Sequence, residues 1–155
     1  MKIIFLLTIV SAFSISCNQS LETDKVKNKE NAMIGTWKLL SGTLIEKGDT
    51  TVTDYTKKLS FIKIINKTHF AFLQHDLNKG KDSVAVFVAG GGKYSIKDGL
   101  YTEQLEYSSA REWEGNDFEF TISIKNDTLI QEGIEKVESA GIERLNIEKY
   151  VRVKE

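Results

Sequence analysis

Nine residues in the C-terminal half of this chain alternate between polar and apolar side chains. Between positions 117 and 125 every second residue is apolar, in the order Phe118, Phe120, Ile122 and Ile124. Alternation with a period of two, carried by aromatic and β-branched side chains, is typical of a strand that buries one face. The segment is therefore predicted to be a β-strand with Phe118, Phe120 and Ile122 pointing into a core.

Comparable runs recur along most of the chain and predict further strands. They cover residues 36–40, 59–65, 69–73, 83–89, 92–96, 100–107, 128–133 and about 143–153. The breaks at 47–49, 97–99 and 126–127 have the Gly, Asn and Asp chemistry of hairpin turns. Short connectors join antiparallel neighbours, and closing the sheet removes its edges. The sequence thus predicts an all-β fold, an up-and-down antiparallel barrel of about 8–10 strands.

Three consecutive glycines, Gly90, Gly91 and Gly92, interrupt the pattern between two predicted strands. A run of this kind can form a loosely held loop or a sharp bend at a barrel corner. A phosphate-binding loop is rejected, because no lysine–serine pair and no helix follow.

The N-terminus has the pattern of an export signal that ends in the only cysteine of the chain. Lys2 precedes an apolar run at 3–10, and small residues lead into Cys17. This arrangement resembles the lipobox of bacterial lipoproteins. The resemblance implies that residues 1–16 are a lipoprotein signal peptide and that Cys17 is acylated, with chains such as palmitate. It places the protein in the cell envelope, anchored in the lipid bilayer on the periplasmic or outer-membrane face. The alternative is an ordinary signal sequence that contains a cysteine.

The residues after Cys17 divide into a tether and one domain. Residues 17–33 comprise the cysteine and a polar segment with balanced charges, predicted to be a flexible tether. Residues 34–155 form a single predicted domain, since the length suffices for one compact unit.

A Gly-x-Trp motif, Gly35 to Trp37, opens the first predicted strand, and Arg152 lies in the last. This pair resembles the lipocalins, in which the arginine covers the tryptophan and closes one end of the barrel. The segments 63–72, 90–95 and 101–107 add to the likeness. Over residues 34–153 the chain resembles a lipocalin-like domain family of unknown function found in exported bacterial lipoproteins. The resemblance implies small-ligand binding, and assigns barrel closure to Gly35, Trp37 and Arg152.

Candidate ligand-binding residues lie on the predicted strand 100–107. Tyr101, Glu103 and Tyr107 share a face with Leu105. If that face points inward, two phenols and a carboxylate line a cavity suited to a ligand with a polar head and an apolar body. His69 is a fourth candidate, at the rim of the cavity or outside it.

Several classes of function are disfavoured. Lys and Arg are spread through a chain of net charge -1, which indicates no nucleic-acid partner. No metal site or cofactor is predicted, because His69 and His75 would lie about 20 Å apart on one strand at ~3.3 Å per residue, and no further His or Cys completes a ligand set.

The leading prediction is a membrane-anchored binding protein for a small, largely apolar ligand. One alternative is a packed-barrel protein-interaction module of the cell envelope. A second is a hydrolase- or isomerase-type enzyme that uses His69 with a carboxylate, although the sequence favours a non-enzyme. A cavity would favour the binder and a solid core the module. A contact between His69 and a carboxylate facing the cavity would favour the enzyme. The sequence does not determine the oligomeric state.

Overall fold

The computed structural model describes residues 31–81 and 85–154. Almost all of this region is β-structure, with two short 3-10 helices at Arg111–Trp113 and Glu138–Ala140. The strands are β1 (Gly35–Glu46), β2 (Asp49–Asp54), β3 (Leu59–Ile65), β4 (His69–Asp76), β5 (Phe87–Lys97), β6 (Leu100–Ser108), β7 (Asp117–Lys125), β8 (Thr128–Val137) and β9 (Ile142–Arg152).

The strands form a closed antiparallel barrel. Each strand from β3 to β8 pairs with the next one along the chain, and β1 pairs with both β3 and β9, which closes a barrel of eight strands. The additional strand β2 pairs with the outer half of β1, at residues 41–46. The predicted up-and-down barrel of 8–10 strands is confirmed, and its architecture is consistent with a lipocalin-like barrel. Closure pairs the edges that an open sheet would leave exposed.

Tight turns with left-handed backbone connect two of the hairpins. Lys47 and Gly48, and likewise Asp98 and Gly99, both have positive φ. Two adjacent positive φ angles are characteristic of the type I′ turn, whose twist matches that of the flanking strands. These turns set the register of β1 against β2 and of β5 against β6.

The three glycines lie inside β5, which continues through them without a loop. A β-carbon built on Gly92 would lie 1.9 Å from the backbone oxygen of Gln104, and one on Gly91 would lie 2.5 Å from that of Phe70. Neighbouring strands therefore approach β5 too closely for a side chain here. Of the two structures predicted for the glycines, a loose loop and a sharp bend, the sharp bend agrees with this close packing. The sequence predicted two strands here, at 83–89 and 92–96, but the structure has one continuous strand from Phe87 to Lys97. Residues 82–84, at the start of the first predicted strand, lie outside the described residues.

A β-bulge accompanies the glycines on the neighbouring strand. Gly91 pairs with Tyr107 but Gly92 pairs with Leu105, so Glu106 is an extra residue in β6. An extra residue reverses which face the following side chains occupy.

One end of the barrel is closed by the start of β1 and the end of β9. The guanidinium of Arg152 lies 4.0 Å from the centre of the Trp37 ring. It donates hydrogen bonds to the backbone oxygens of Ile34, at 2.8 Å, and of Ala32. Residues 31–33 form a turn of helix, and Met33 is buried and accepts a hydrogen bond from the Trp37 indole at 2.7 Å. Ordered structure therefore begins before Ile34, the predicted start of the domain.

The predicted signal peptide 1–16, Cys17 and most of the tether lie outside the described residues. Within the described ranges, no helix is long and apolar enough to cross a bilayer.

Candidate functional site

A cavity of about 330 Å³ occupies the interior of the barrel on the side away from Trp37 and Arg152. Its walls are mainly aromatic and aliphatic. Lys63 and Glu103 belong to its lining, and Trp113 reaches it from the loop between β6 and β7. The apolar part of the lining includes Phe61, Phe72, Leu105, Phe118 and Phe120.

A buried ion pair forms the part of the lining nearest the closed end. Lys63 on β3 is 3% exposed and Glu103 on β6 is 6% exposed. The Lys63 ammonium donates to the Glu103 carboxylate at 2.6 Å and to the Gln131 side-chain oxygen at 3.0 Å. Lys63 is held here because residues 61, 63 and 65 share the buried face of β3. Burying an amino group requires such partners, since an unpaired charge in a core is costly.

The pKa of the Glu103 carboxyl reflects this environment. Burial raises the pKa above its usual value, and the adjacent Lys63 ammonium opposes the rise. Tyr101 lies two residues closer to the closed end on the same face, and its hydroxyl has no hydrogen-bond partner among the described residues. Burial raises the pKa of Tyr101 well above its ordinary value, and the Glu103 charge adds to the effect.

Glu148 on β9 extends the polar part of the lining, and the buried Tyr150 supports it from the same strand. The Tyr150 hydroxyl donates to Glu148 Oε2 at 2.7 Å, and the Lys63 ammonium lies 3.9 Å from the same oxygen. Burial raises the pKa of Tyr150 well above its ordinary value, and the Glu148 carboxylate raises it further. Tyr150 therefore acts as a neutral hydrogen-bond donor at neutral pH.

A second polar cluster lies higher on the β8 and β9 wall. Arg144 donates to Glu135 Oε2 from Nε at 2.8 Å and from Nη2 at 2.7 Å. Asn146 donates to the other oxygen of Glu135 at 2.8 Å. Burial raises the pKa of Glu135, while Arg144 lowers it. The Arg144 guanidinium also lies 5.0 Å from the Trp113 ring, which packs on Phe118. Trp113 thus belongs to the lining near the open end.

The structure separates the four residues suggested as ligand contacts. Glu103 lines the cavity. Tyr101 lies below it, buried in the core. Tyr107 is 67% exposed on the outer face, because the bulge at Glu106 interrupts the alternation that placed it with Glu103. His69 is exposed outside the cavity, and its Nδ1 lies 2.7 Å from the Thr68 hydroxyl. The expectation that Tyr107 faces the cavity is therefore corrected.

Most of the polar lining was not anticipated from the sequence. These residues are Lys63, Gln131, Glu135, Arg144, Asn146 and Glu148. A signal is present in β8, where positions 131 and 135 continue the face on which Leu129 and Val137 are buried. Polar residues that share a stripe with core residues indicate a polar interior. In β9 the alternation predicts the wrong inner face, because Leu145, Ile147 and Val151 form the more apolar face but Asn146 and Tyr150 are the buried residues.

The arrangement can surround a small apolar body and offer it hydrogen-bonding groups at one end and along one wall. Among residues 31–81 and 85–154, no group of three His, Cys, Asp or Glu side chains could hold a metal ion. No protein-family model, curated protein or solved structure has a significant match to this chain.

Proposed function

We propose that this protein binds a small, largely apolar molecule inside its barrel, and that an acylated Cys17 holds it at a membrane of the cell envelope. The cavity of about 330 Å³ carries the first part of the proposal. Ligand sites have volumes of roughly 300–1,000 Å³, apolar walls and a few convergent polar groups. The volume is at the lower end of that range, so a compact ligand fits best.

The anchoring part rests on the sequence. An apolar run followed by small residues ends at Cys17, the pattern that resembles a lipobox. Acyl chains on that cysteine would hold the barrel close to a bilayer, since two or more buried chains give stable attachment.

The two other functions have less support. A packed interaction module would fill the interior with side chains, as eight-stranded barrels can, whereas this barrel retains a cavity. An acid–base enzyme built on His69 would need that imidazole beside its substrate, and His69 is exposed at a distance from the cavity lining.

A neutral fluorescent probe tests the binding function directly. N-phenyl-1-naphthylamine, which fluoresces in apolar surroundings, would be titrated into the full-length Cys17→Ser chain, so that acyl chains provide no competing site. We expect saturable binding with one site per chain. In a Ser108→Trp variant of that protein the indole would fill the cavity near its mouth, and the fluorescence increase should be lost.

Tyr107→Trp provides the matched control, because residue 107 is next to Ser108 in β6 but its side chain points out of the barrel. It should bind the probe like the parent protein. Equal binding by the Ser108→Trp variant, or no saturable binding by the parent, would contradict an internal ligand site.

A further inference from the structure

The charges that line the cavity are unequal. Within the described part of the chain, its basic side chains are Lys63 and Arg144, and its carboxylates are Glu103, Glu135 and Glu148. Carboxylates therefore outnumber cations by one. An excess of one sign in a partly desolvated cavity favours a ligand of the opposite sign.

Both cations are already occupied by protein groups. Lys63 bonds to Glu103 at 2.6 Å and to Gln131 at 3.0 Å, and its ammonium also lies 5.6 Å from the ring centre of Tyr150. Arg144 binds Glu135 through two nitrogens. An anionic ligand head would have to break one of these pairs and leave a buried carboxylate without a partner, which is strongly unfavourable.

Glu148 is the carboxylate with the weakest cationic contact in this lining. Lys63 is 3.9 Å away, beyond the normal length of a hydrogen bond, and among residues 31–81 and 85–154 the one short contact to Glu148 comes from the neutral Tyr150 hydroxyl. Glu148 also lines the cavity, and at 15% exposed its side chain is the least buried of the three carboxylate side chains. Glu148 is therefore the carboxylate that a ligand in the cavity can reach most readily.

Aromatic rings surround the same region. Phe61 packs edge-on against Tyr55 at 5.8 Å, stacks with Phe72 at 5.8 Å and lies 6.3 Å from Tyr150. Ring faces attract ammonium groups, and the attraction grows when water is excluded. A carboxylate beside aromatic rings matches a protonated amine attached to an apolar body.

We propose that the natural ligand is a hydrophobic amine whose ammonium group pairs with Glu148 while its apolar part packs among Phe61, Phe72 and Phe118. This inference rests on the proposed binding function and specifies the chemical class of the ligand. It implies that fatty acids, the usual apolar anions, are poor ligands.

Three compounds with the same apolar chain and different heads test the inference. Octylamine, octanol and octanoate would compete with N-phenyl-1-naphthylamine for the full-length Cys17→Ser chain at neutral pH. We expect octylamine to bind about tenfold more tightly than octanol, as for a charge-assisted hydrogen bond, and octanoate to bind most weakly. Glu148→Gln should reduce the affinity for octylamine to that for octanol and leave the octanol affinity unchanged.

Glu132→Gln is the matched control, since Glu132 is exposed on the outside of β8. It should keep the preference for the amine. Binding of octanol or octanoate as tight as that of octylamine overturns the inference and leaves the proposed function intact. An unchanged amine preference in folded Glu148→Gln also overturns it. If that variant does not fold, the order of the affinities of the parent protein for the three compounds tests the inference by itself. Failure of the probe and all three compounds to bind would instead defeat the proposed function.

Discussion

Lys63 connects the core of this protein to its cavity. Its ammonium is almost completely buried, yet it contacts Glu103 and Gln131 on two other strands and lies near Glu148 on a third. A single side chain thereby links β3, β6, β8 and β9 at one level of the barrel. Such a pair costs desolvation energy, and it fixes which polar groups face the cavity.

We expect Lys63→Met to destabilise the protein by about 3–5 kcal/mol, because it leaves the Glu103 carboxyl buried without its partner. Adding Glu103→Gln should recover much of that loss, since no unpaired charge then remains. Urea unfolding of the two single variants and the double variant would measure the coupling. Additive free energies in this cycle would show that the two side chains do not act as a pair.

Because of Tyr101 and Tyr150, the folded protein should lose stability at alkaline pH. Burial raises the pKa of both phenols well above 10.0, so the folded protein holds protons that the unfolded chain releases. The stability linked to these groups is present below about pH 10 and is lost as pH rises through and beyond that value. The ultraviolet absorbance of phenolate should therefore show that Tyr101 and Tyr150 ionise together with unfolding. Tyr150→Phe should reduce the number of tyrosines that ionise with unfolding by one, and ionisation of all five tyrosines before unfolding would contradict the assignment.

Among the elements, β5 and β6 determine the shape of the cavity most directly. The glycines of β5 permit close approach of β4 and β6, and the bulge at Glu106 turns Tyr107 outward and Ser108 toward the cavity. The bend and the bulge therefore decide which side chains of β6 are available to a ligand. A regular β6 would place Tyr107 inside and reduce the space there.

Gly92→Ala should destabilise the barrel by about 3 kcal/mol, at the upper end for overpacking, because the new methyl group would meet rigid backbone. Gly48→Ala is the comparison: the φ of Gly48, at 90°, is unsuited to alanine, but open space surrounds this residue. That variant should lose only about 1 kcal/mol. Thermal or urea unfolding would give both values, and equal losses would argue against a steric requirement at Gly92.

On the scale of the whole molecule, the barrel has one closed and one accessible end. Trp37 and Arg152 close the first, and the loop that contains Trp113 borders the second. The predicted tether enters at the closed end, where residues 31–33 pack beneath Trp37. If Cys17 is anchored as proposed, the ligand would reach the cavity from the end opposite the point where the chain enters.

Cys17→Ser tests the attachment. We expect the wild-type protein to partition into the detergent phase and to incorporate labelled palmitate, and the variant to do neither, because acylation requires the thiol. Ser20→Ala, three residues further on, should behave like the wild type. Wild-type protein that stays in the aqueous phase without label would refute lipid anchoring and would leave the ligand-binding proposal unaffected.

Local alternation in the sequence determined the strands and, through the short connectors, the barrel. The segment 117–125 was predicted with the bounds that β7 has, and Phe118, Phe120 and Ile122 are buried as expected. The turns at Lys47 and Gly48 and at Asp98 and Gly99 were also recognisable, since their conformation depends on the few residues that form them. The alternation could not predict β2, because this strand is exposed along most of its length and its polar and apolar residues hardly alternate.

Only the tertiary structure decided which faces point inward where both faces carry polar and apolar residues. In β9 the inner face is the more polar one, because Asn146 bonds to Glu135 of β8 and the Lys63 ammonium lies near Glu148 and the Tyr150 ring. Lys63 comes from β3, which is distant from β9 in sequence. The same holds for Tyr107, whose orientation depends on the bulge at Glu106, where the β6 backbone packs closely against Gly92. Alternation in the sequence shows that a strand has two different faces. Which face points inward depends on the closure of the barrel and the register of its strands, and both are properties of all eight strands together.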